Sequence, residues 1–250
     1  MQKNQGFFVD SYHFYQIAKD GYYKASEGFE IHRQDDALVS IIFSALALEA
    51  FINEIPALAK CEKQDGSTEA FLDKLIDAIE ELDSQDLRKI SLQPFFLRVL
   101  CVLPSSFFRN LFVSPNSKKK NTQHKFMLAS EALNSGFKKG DKLYQNFADL
   151  FKLRDCLVHL KPEDIIEEQE DGEIKYFGRD LTKRLRSKGI FLDTSVDSII
   201  LKVSTAKAAL WACNTASEMV NAILDKLPAS FRDNNPHIDL YRNSFQPPEK

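Results

Sequence analysis

The sequence predicts an all-α protein built on four principal helices, and two observations carry that expectation. Glycine and proline number nine each in 250 residues, too few for the frequent turns of a β-sandwich or barrel. Apolar residues recur every three to four positions over long runs, the period of an amphipathic helix. Phenylalanine is abundant, present 20 times.

The first principal helix is expected over 8–26, where Phe8, Tyr12, Tyr15 and Tyr22 share one face. The second starts at Asp35-Asp36, good N-caps, and runs to Ile55, where Pro56 interrupts or ends it. Its apolar residues (Leu38, Ile41, Ile42, Leu46, Leu48, Phe51, Ile52) surround the axis, which marks a central helix with several neighbours. A helical insertion is expected over 60–142: an amphipathic helix at 68–82, short apolar pieces at 93–103 and 105–113 split by Pro104, an exposed mobile loop at 114–125, and a short helix at 126–134. The third principal helix covers 143–160 and stops before Pro162. A small β-hairpin is expected at 165–177 around Glu170-Asp171-Gly172, then a short basic helix at 180–187. The fourth principal helix covers 205–227, and 228–250 reads as a polar tail. The domain plan is therefore helices one and two (1–59), the insertion (60–142), helices three and four with the hairpin (143–227), and the tail.

With 44% hydrophobic and 28% charged residues the chain is long and apolar enough for a sizeable core, and disorder throughout is excluded. A net charge of -3 excludes wholesale electrostatic binding of nucleic acid, so any such contact needs a local patch. Cys61, Cys101, Cys156 and Cys213 stand far apart with no CxxC pair, which argues against a zinc ribbon or disulfide scaffold. The start, Met1 to Gly6, lacks the features of a secretory signal. The most apolar run, 37–52, is shorter than a membrane span and includes Glu49. A cytoplasmic protein with reduced thiols and no membrane partner is the expectation.

The residues best suited to chemistry are Arg154-Asp155-Cys156-Leu157-Val158-His159. A permanently charged guanidinium and an imidazole that titrates near neutrality suit phosphodiester cleavage, one stabilising phosphorane oxygens and the other moving protons. Asp155 and His159, four apart, share a helix face, so the carboxylate can orient the ring. Arg154 and His159 diverge by roughly 140° on one helix, and a two-fold dimer would bring a second set to the same cleft. No cluster of His and carboxylates stands at ligand spacing, so neither metal nor cofactor is expected. Spacing alone is not specific. Arg232-Asp233-Asn234-Asn235-Pro236-His237 repeats it in the tail, where its Asn-Asn-Pro content denies it a frame. The same six residues at 154–159 also fit an ion pair followed by a dipole-stabilising histidine.

A helix ending in Arg-Asp-Cys-Leu-Val-His, preceded by an apolar helix reading Ala45-Leu-Ala-Leu-Glu-Ala-Phe-Ile-Asn-Glu54, resembles the HEPN superfamily. The resemblance covers 8–55 and 143–227 and leaves out 60–140 and the tail. It implies a four-helix core, a homodimer, and metal-independent endoribonuclease activity with Arg154, Asp155 and His159 as the catalytic set. It further implies transesterification to a 2′,3′-cyclic phosphate, a toxin or defence role, and regulation by an antitoxin or other protein. Branches of the family that have lost catalysis serve as dimerisation or interaction modules, which is the rival reading.

Around this set, Glu49 and Asn53 lie one turn apart in the most apolar helix. A carboxylate there needs a partner, and Arg154 is the expected one, with a plain structural salt bridge as the alternative. Lys183, Arg184, Arg186 and Lys188 form the expected RNA-binding patch; Lys118-Lys119-Lys120 is a weaker one, and both also read as solvated surface. The acidic run 163–173 solvates the hairpin, Trp211 is core, and His13 and His32 need no functional role.

Overall fold

A computed structural model describes residues 9–27, 34–64, 73, 76, 115–133, 138, 140–158, 167–168, 174–175, 179–192, 198–233 and 235–249. The described residues are mostly helical, the class that the periodicity predicts. The chain divides into two units: Met1–Phe7 with Ile52–Phe137, and Phe8–Phe51 with Lys138–Lys250.

In the larger unit, helix α1 (Ser11–Glu27) buries Tyr15, Ala18, Tyr22 and Ala25, a stripe at three- and four-residue steps. Helix α2 (Asp35–Gln64) belongs to this unit over its first half, where Ala37, Ile41, Ala45, Leu48 and Phe51 are buried. The two helices meet at Gly21. A Cβ there would lie 2.8 Å from the Asp36 carbonyl oxygen and 3.1 Å from the Ser40 nitrogen, so only glycine permits the approach.

Helix α7 (Ala206–Leu224) follows α3 (Pro115–Ala132), α4 (Lys142–Val158), α5 (Arg179–Ser187) and α6 (Ile199–Val203). Thr205 starts it, accepting from the Ala208 N–H at 3.0 Å as an N-cap and donating to the Ile190 carbonyl at 3.1 Å. Helices α1 and α4 both pack against α7. Small residues on α7 (Ala208, Ala209, Ala212, Ala216) let its neighbours come close. Ser40 reaches the Ala209 carbonyl at 3.4 Å and the Cys213 sulfur at 3.3 Å, and Ser44 reaches that sulfur at 3.7 Å. Between α4 and α5, strands β1 (Glu167–Glu168) and β2 (Ile174–Lys175) pair antiparallel, Glu167 opposite Lys175 and Glu168 opposite Ile174. The rest of the 165–177 stretch lies outside the described residues.

The C-terminal stretch is not a polar tail. It forms helices α8 (Ala229–Arg232) and α9 (Pro236–Ser244), and Ile238, Tyr241 and Phe245 are fully buried. Phe245 stacks on Tyr15 with ring centroids 4.6 Å apart, and Tyr241 meets the edge of Phe51 at 5.2 Å. The Tyr15 hydroxyl shares its proton between the Cys213 and Gln246 carbonyls, at 3.2 and 3.1 Å. Ser217 donates to the Phe245 carbonyl at 2.6 Å. Ile238, Tyr241 and Phe245 follow a three-to-four spacing, and polar neighbours mask it in the sequence. The Arg232-to-His237 repeat is split by this arrangement: Arg232 ends α8 and pairs with Asp233 at 2.9 Å, while His237 opens α9 under the Asn235 cap.

Burial lifts the Cys213 thiol above its ordinary range against the opposing hydrogen bonds of Ser40 and Ser44, and it lifts the Tyr15 hydroxyl well above the tyrosine range. The sign follows directly. Above about pH 8.5 the unfolded thiol loses its proton while the folded one keeps it, and above about pH 10 the same holds for Tyr15. The unfolded state then binds fewer protons, so stability falls with rising pH by roughly 1.4 kcal/mol per pH unit for each group. Urea titrations at stepped pH should show a plateau at neutrality, then this decline, and Cys213→Ala should flatten its first part.

In the smaller unit, α2 does not stop at Pro56 but continues to Gln64, a correction to the expected end at Ile55. The missing N–H and ring clash cost about 3 kcal/mol. Burial of Ile55 and Leu58, each contributing roughly 1.5–3 kcal/mol, offsets that. Within this longer helix, Asp35–Lys60 is long and apolar enough to cross a membrane by length and composition, with mean hydropathy 1.8 and 50% of its most apolar window buried inside the protein. The expected mobile loop at 114–125 is also corrected. Residues Pro115–Ala132 are one helix, with Pro115 at its first position, where the fixed φ suits a helix start. Its later turns bury Thr122, Lys125, Phe126 and Ala129, a stripe that holds the low-propensity start in helical form. Of the expected helix at 68–82, only Asp73 and Ile76 are described, both helical. The pieces at 93–103 and 105–113 lie outside the described residues.

Candidate functional site

Helix α4 carries Arg154 and Asp155 in its last turn and a half and ends at Val158. His159 lies outside the described residues. Phe147, Leu150, Phe151 and Leu153 anchor the helix in the core and fix the rotation that decides where Arg154 points. The Arg154 side chain is 13% exposed. Its Nη2 lies 3.5 Å from Glu49 Oε2 on α2, and its guanidinium sits over the Phe151 ring at 5.2 Å. Its Nε lies 3.2 Å from Asp155 Oδ1, an ion pair without hydrogen-bond alignment. The carboxylate embedded in the apolar helix thus meets the cation of the motif. Glu49 and Asp155 are 22% and 20% exposed, so the cluster opens to solvent on one side while its positive member is the most enclosed.

Asn53 belongs to the smaller unit, where its amide oxygen accepts from Lys125 Nζ at 2.7 Å. Of the residues expected around Arg154, the structure brings Glu49 and Asp155 to it. Side chains of Lys118, Lys119 and Lys120 lie outside the described residues.

The basic run forms helix α5, held by buried Leu181 and Leu185 and closed by Gly189 at φ 68°. Its four cations are not equivalent. Lys183 and Arg186 are exposed. Arg184 Nε donates to Asp149 Oδ1 at 2.9 Å, and Lys188 Nζ lies 3.1 Å from Asp149 Oδ2. Lys188 also donates to the Asn146 amide oxygen and sits over the Trp211 ring at 5.4 Å. Asp149, on α4 and 4% exposed, is a functional candidate that sequence reading missed. The available signal was a carboxylate inside a core helix, which requires a cation somewhere in the chain.

Asp149 and Arg154, five residues apart on α4, diverge by roughly 140°. The α5 cations and the Arg154 cluster therefore belong to different sides of that helix, and Arg184 and Lys188 do not join Arg154 in one pocket. Among the described residues, no three His, Cys, Asp or Glu side chains gather to hold a metal. No protein-family model, curated protein or solved structure matches this chain.

Proposed function

We propose that this chain is a HEPN-type endoribonuclease that cleaves RNA by metal-independent transesterification. The observation that carries the reading is Arg154, enclosed by Glu49, Asp155 and Phe151 on the helix whose sequence runs on to His159. A guanidinium held from two sides is pre-oriented for the charge that develops on phosphorane oxygens. In the proposed step the RNA 2′-oxygen attacks phosphorus, its proton passes to a base, and the bond to the 5′-oxygen breaks as that oxygen takes a proton. His159 serves as base or acid, with the second role falling to its copy in a homodimer, and Asp155 orients it. The RNA backbone is drawn in by the exposed cations of α5. The biological setting is a cytoplasmic toxin or defence effector, off the membrane, held in check by an antitoxin or regulatory protein.

A second reading, a non-catalytic HEPN-like interaction module, is favoured by one observation: two carboxylates lie within 3.5 Å of Arg154 and more than offset its charge inside the folded chain. Incubating the purified full chain with mixed RNA in EDTA separates the two. The ribonuclease reading expects fragments ending in 2′,3′-cyclic phosphate. Intact RNA, or cleavage that needs Mg²⁺, selects the interaction module or a different chemistry.

A further inference from the structure

We propose that Arg184 is a buttressed oxyanion-binding arginine, positioned by Asp149, that takes one phosphate of a bound RNA strand; this rests on the ribonuclease reading above. The geometry separates the two ends of the guanidinium. Nε is fixed to Asp149 at 2.9 Å, whereas the side chain as a whole is 40% exposed and the contacts described for Arg184's side chain use Nε alone. An arginine locked at Nε presents its two terminal nitrogens in a fixed direction, the fork that matches two oxygens of a phosphate. Little side-chain entropy remains to be lost when the anion arrives.

The second oxygen of Asp149 explains why the buttress does not repel an anion. Lys188 Nζ lies 3.1 Å from it, an ion pair without hydrogen-bond alignment, so one carboxylate stands between two cations and the cluster keeps a net charge of +1. Lys188 is itself satisfied by Asn146 and the Trp211 face, which leaves it a structural role. Lys183 and Arg186, exposed on the same short helix, add long-range attraction without fixed geometry. The four basic residues thus divide into one anchor, one fork and two steering charges.

Asp149→Asn gives the decisive sign. Removing a negative charge should tighten binding to RNA if bulk electrostatics governs α5. It should weaken binding if Asp149 aims Arg184. The measurement is fluorescence anisotropy of the full chain with a short single-stranded RNA whose 2′-O-methyl sugars block cleavage, over a salt series. Arg184→Ala should weaken binding by about 10- to 100-fold, the range of one charge-assisted hydrogen-bonded contact, and lower the slope of log K against log salt by about 0.7. Arg184→Lys, which keeps the charge and loses the fork, should lose nearly as much affinity. Folded Asp149→Asn should fall about tenfold or more, with circular dichroism and the emission of Trp211, the single tryptophan, reporting its fold. If Asp149→Asn does not fold, Arg184→Lys decides.

Binding that is unchanged or tighter in folded Asp149→Asn, or unchanged in Arg184→Lys, overturns the assignment. RNA binding that survives Arg184→Ala overturns it too, while the ribonuclease reading stands. Tripolyphosphate, used as a second probe, separates the remaining cases. Arg184-dependent binding of tripolyphosphate without RNA binding keeps the arginine site and removes the RNA reading. Binding of neither probe overturns both.

Discussion

His159→Ala protein should lose RNA cleavage by roughly 10²- to 10⁴-fold, the range for removing a general acid or base, and Arg154→Ala by about 10²- to 10³-fold. The two losses differ in what else they do. Arg154 is the enclosed member of a charge cluster, and its removal takes from Glu49 and Asp155 the cation that both approach. Both carboxylates are about one-fifth exposed, so water relieves part of that cost and the variant should stay folded with a lowered melting temperature. Arg154→Lys separates charge from shape. Lysine restores a positive charge beside Glu49 and much of the stability, yet it lacks the planar fork and should recover only a small part of the rate. Initial rates in EDTA, read beside thermal melts of the same preparations, check the whole series. Equal rates for wild type and both alanine variants would remove Arg154 and His159 from the chemistry and leave the Glu49–Arg154 pair as a structural contact.

Phe245→Ala should destabilise the larger unit by about 3–5 kcal/mol, as for any large aromatic cut out of a closed core. Phe245 is fully buried, stacks on Tyr15, and lies 6.1 Å from the Phe51 ring. Its carbonyl also accepts from Ser217 and Asn221, which hold the end of α9 against α7. Removing the ring leaves a void bounded by two further aromatic residues that the surrounding helices cannot fill by small shifts. For a chain of this size the expected fall in melting temperature is roughly 10 °C. A shift of a degree or two would mean that the C-terminal segment rides on the surface and contributes little to the core.

Much of the fold was legible because helices are local objects. The starts of α2 at Asp35 and α7 after Thr205, and the placement of α4 and α5, follow from caps and apolar periods within a few residues of each boundary. The errors came where a local rule met a tertiary reward. Pro56 is a helix breaker by its own chemistry, yet buried Ile55 and Leu58 outweigh it. The Asn, Ser and Lys residues after Pro115 read as a loop, yet they are carried by the buried stripe beyond them. The C-terminal residues read as polar on average, although every third or fourth one is apolar and buried.

The sequence by itself determined the helical class, the placement of α1, α4 and α7, the start of α2, and the position of Arg154 and Asp155 in the last turns of α4, since all of these depend on spacing along a single helix. Only the tertiary structure decided which charges meet. A carboxylate's need for a partner points from Glu49 to Arg154, whereas nothing in the spacing points from Asp149 to Arg184 and Lys188, or from Phe245 to Tyr15. The physical reason is that a one-dimensional pattern says which face of a helix is apolar but not which other face it covers. Partners distant in the chain are chosen by how the helices rotate and cross in packing. A basic run that looks like four equal cations in the sequence becomes one anchor, one fork and two free charges once Asp149 has been turned toward it.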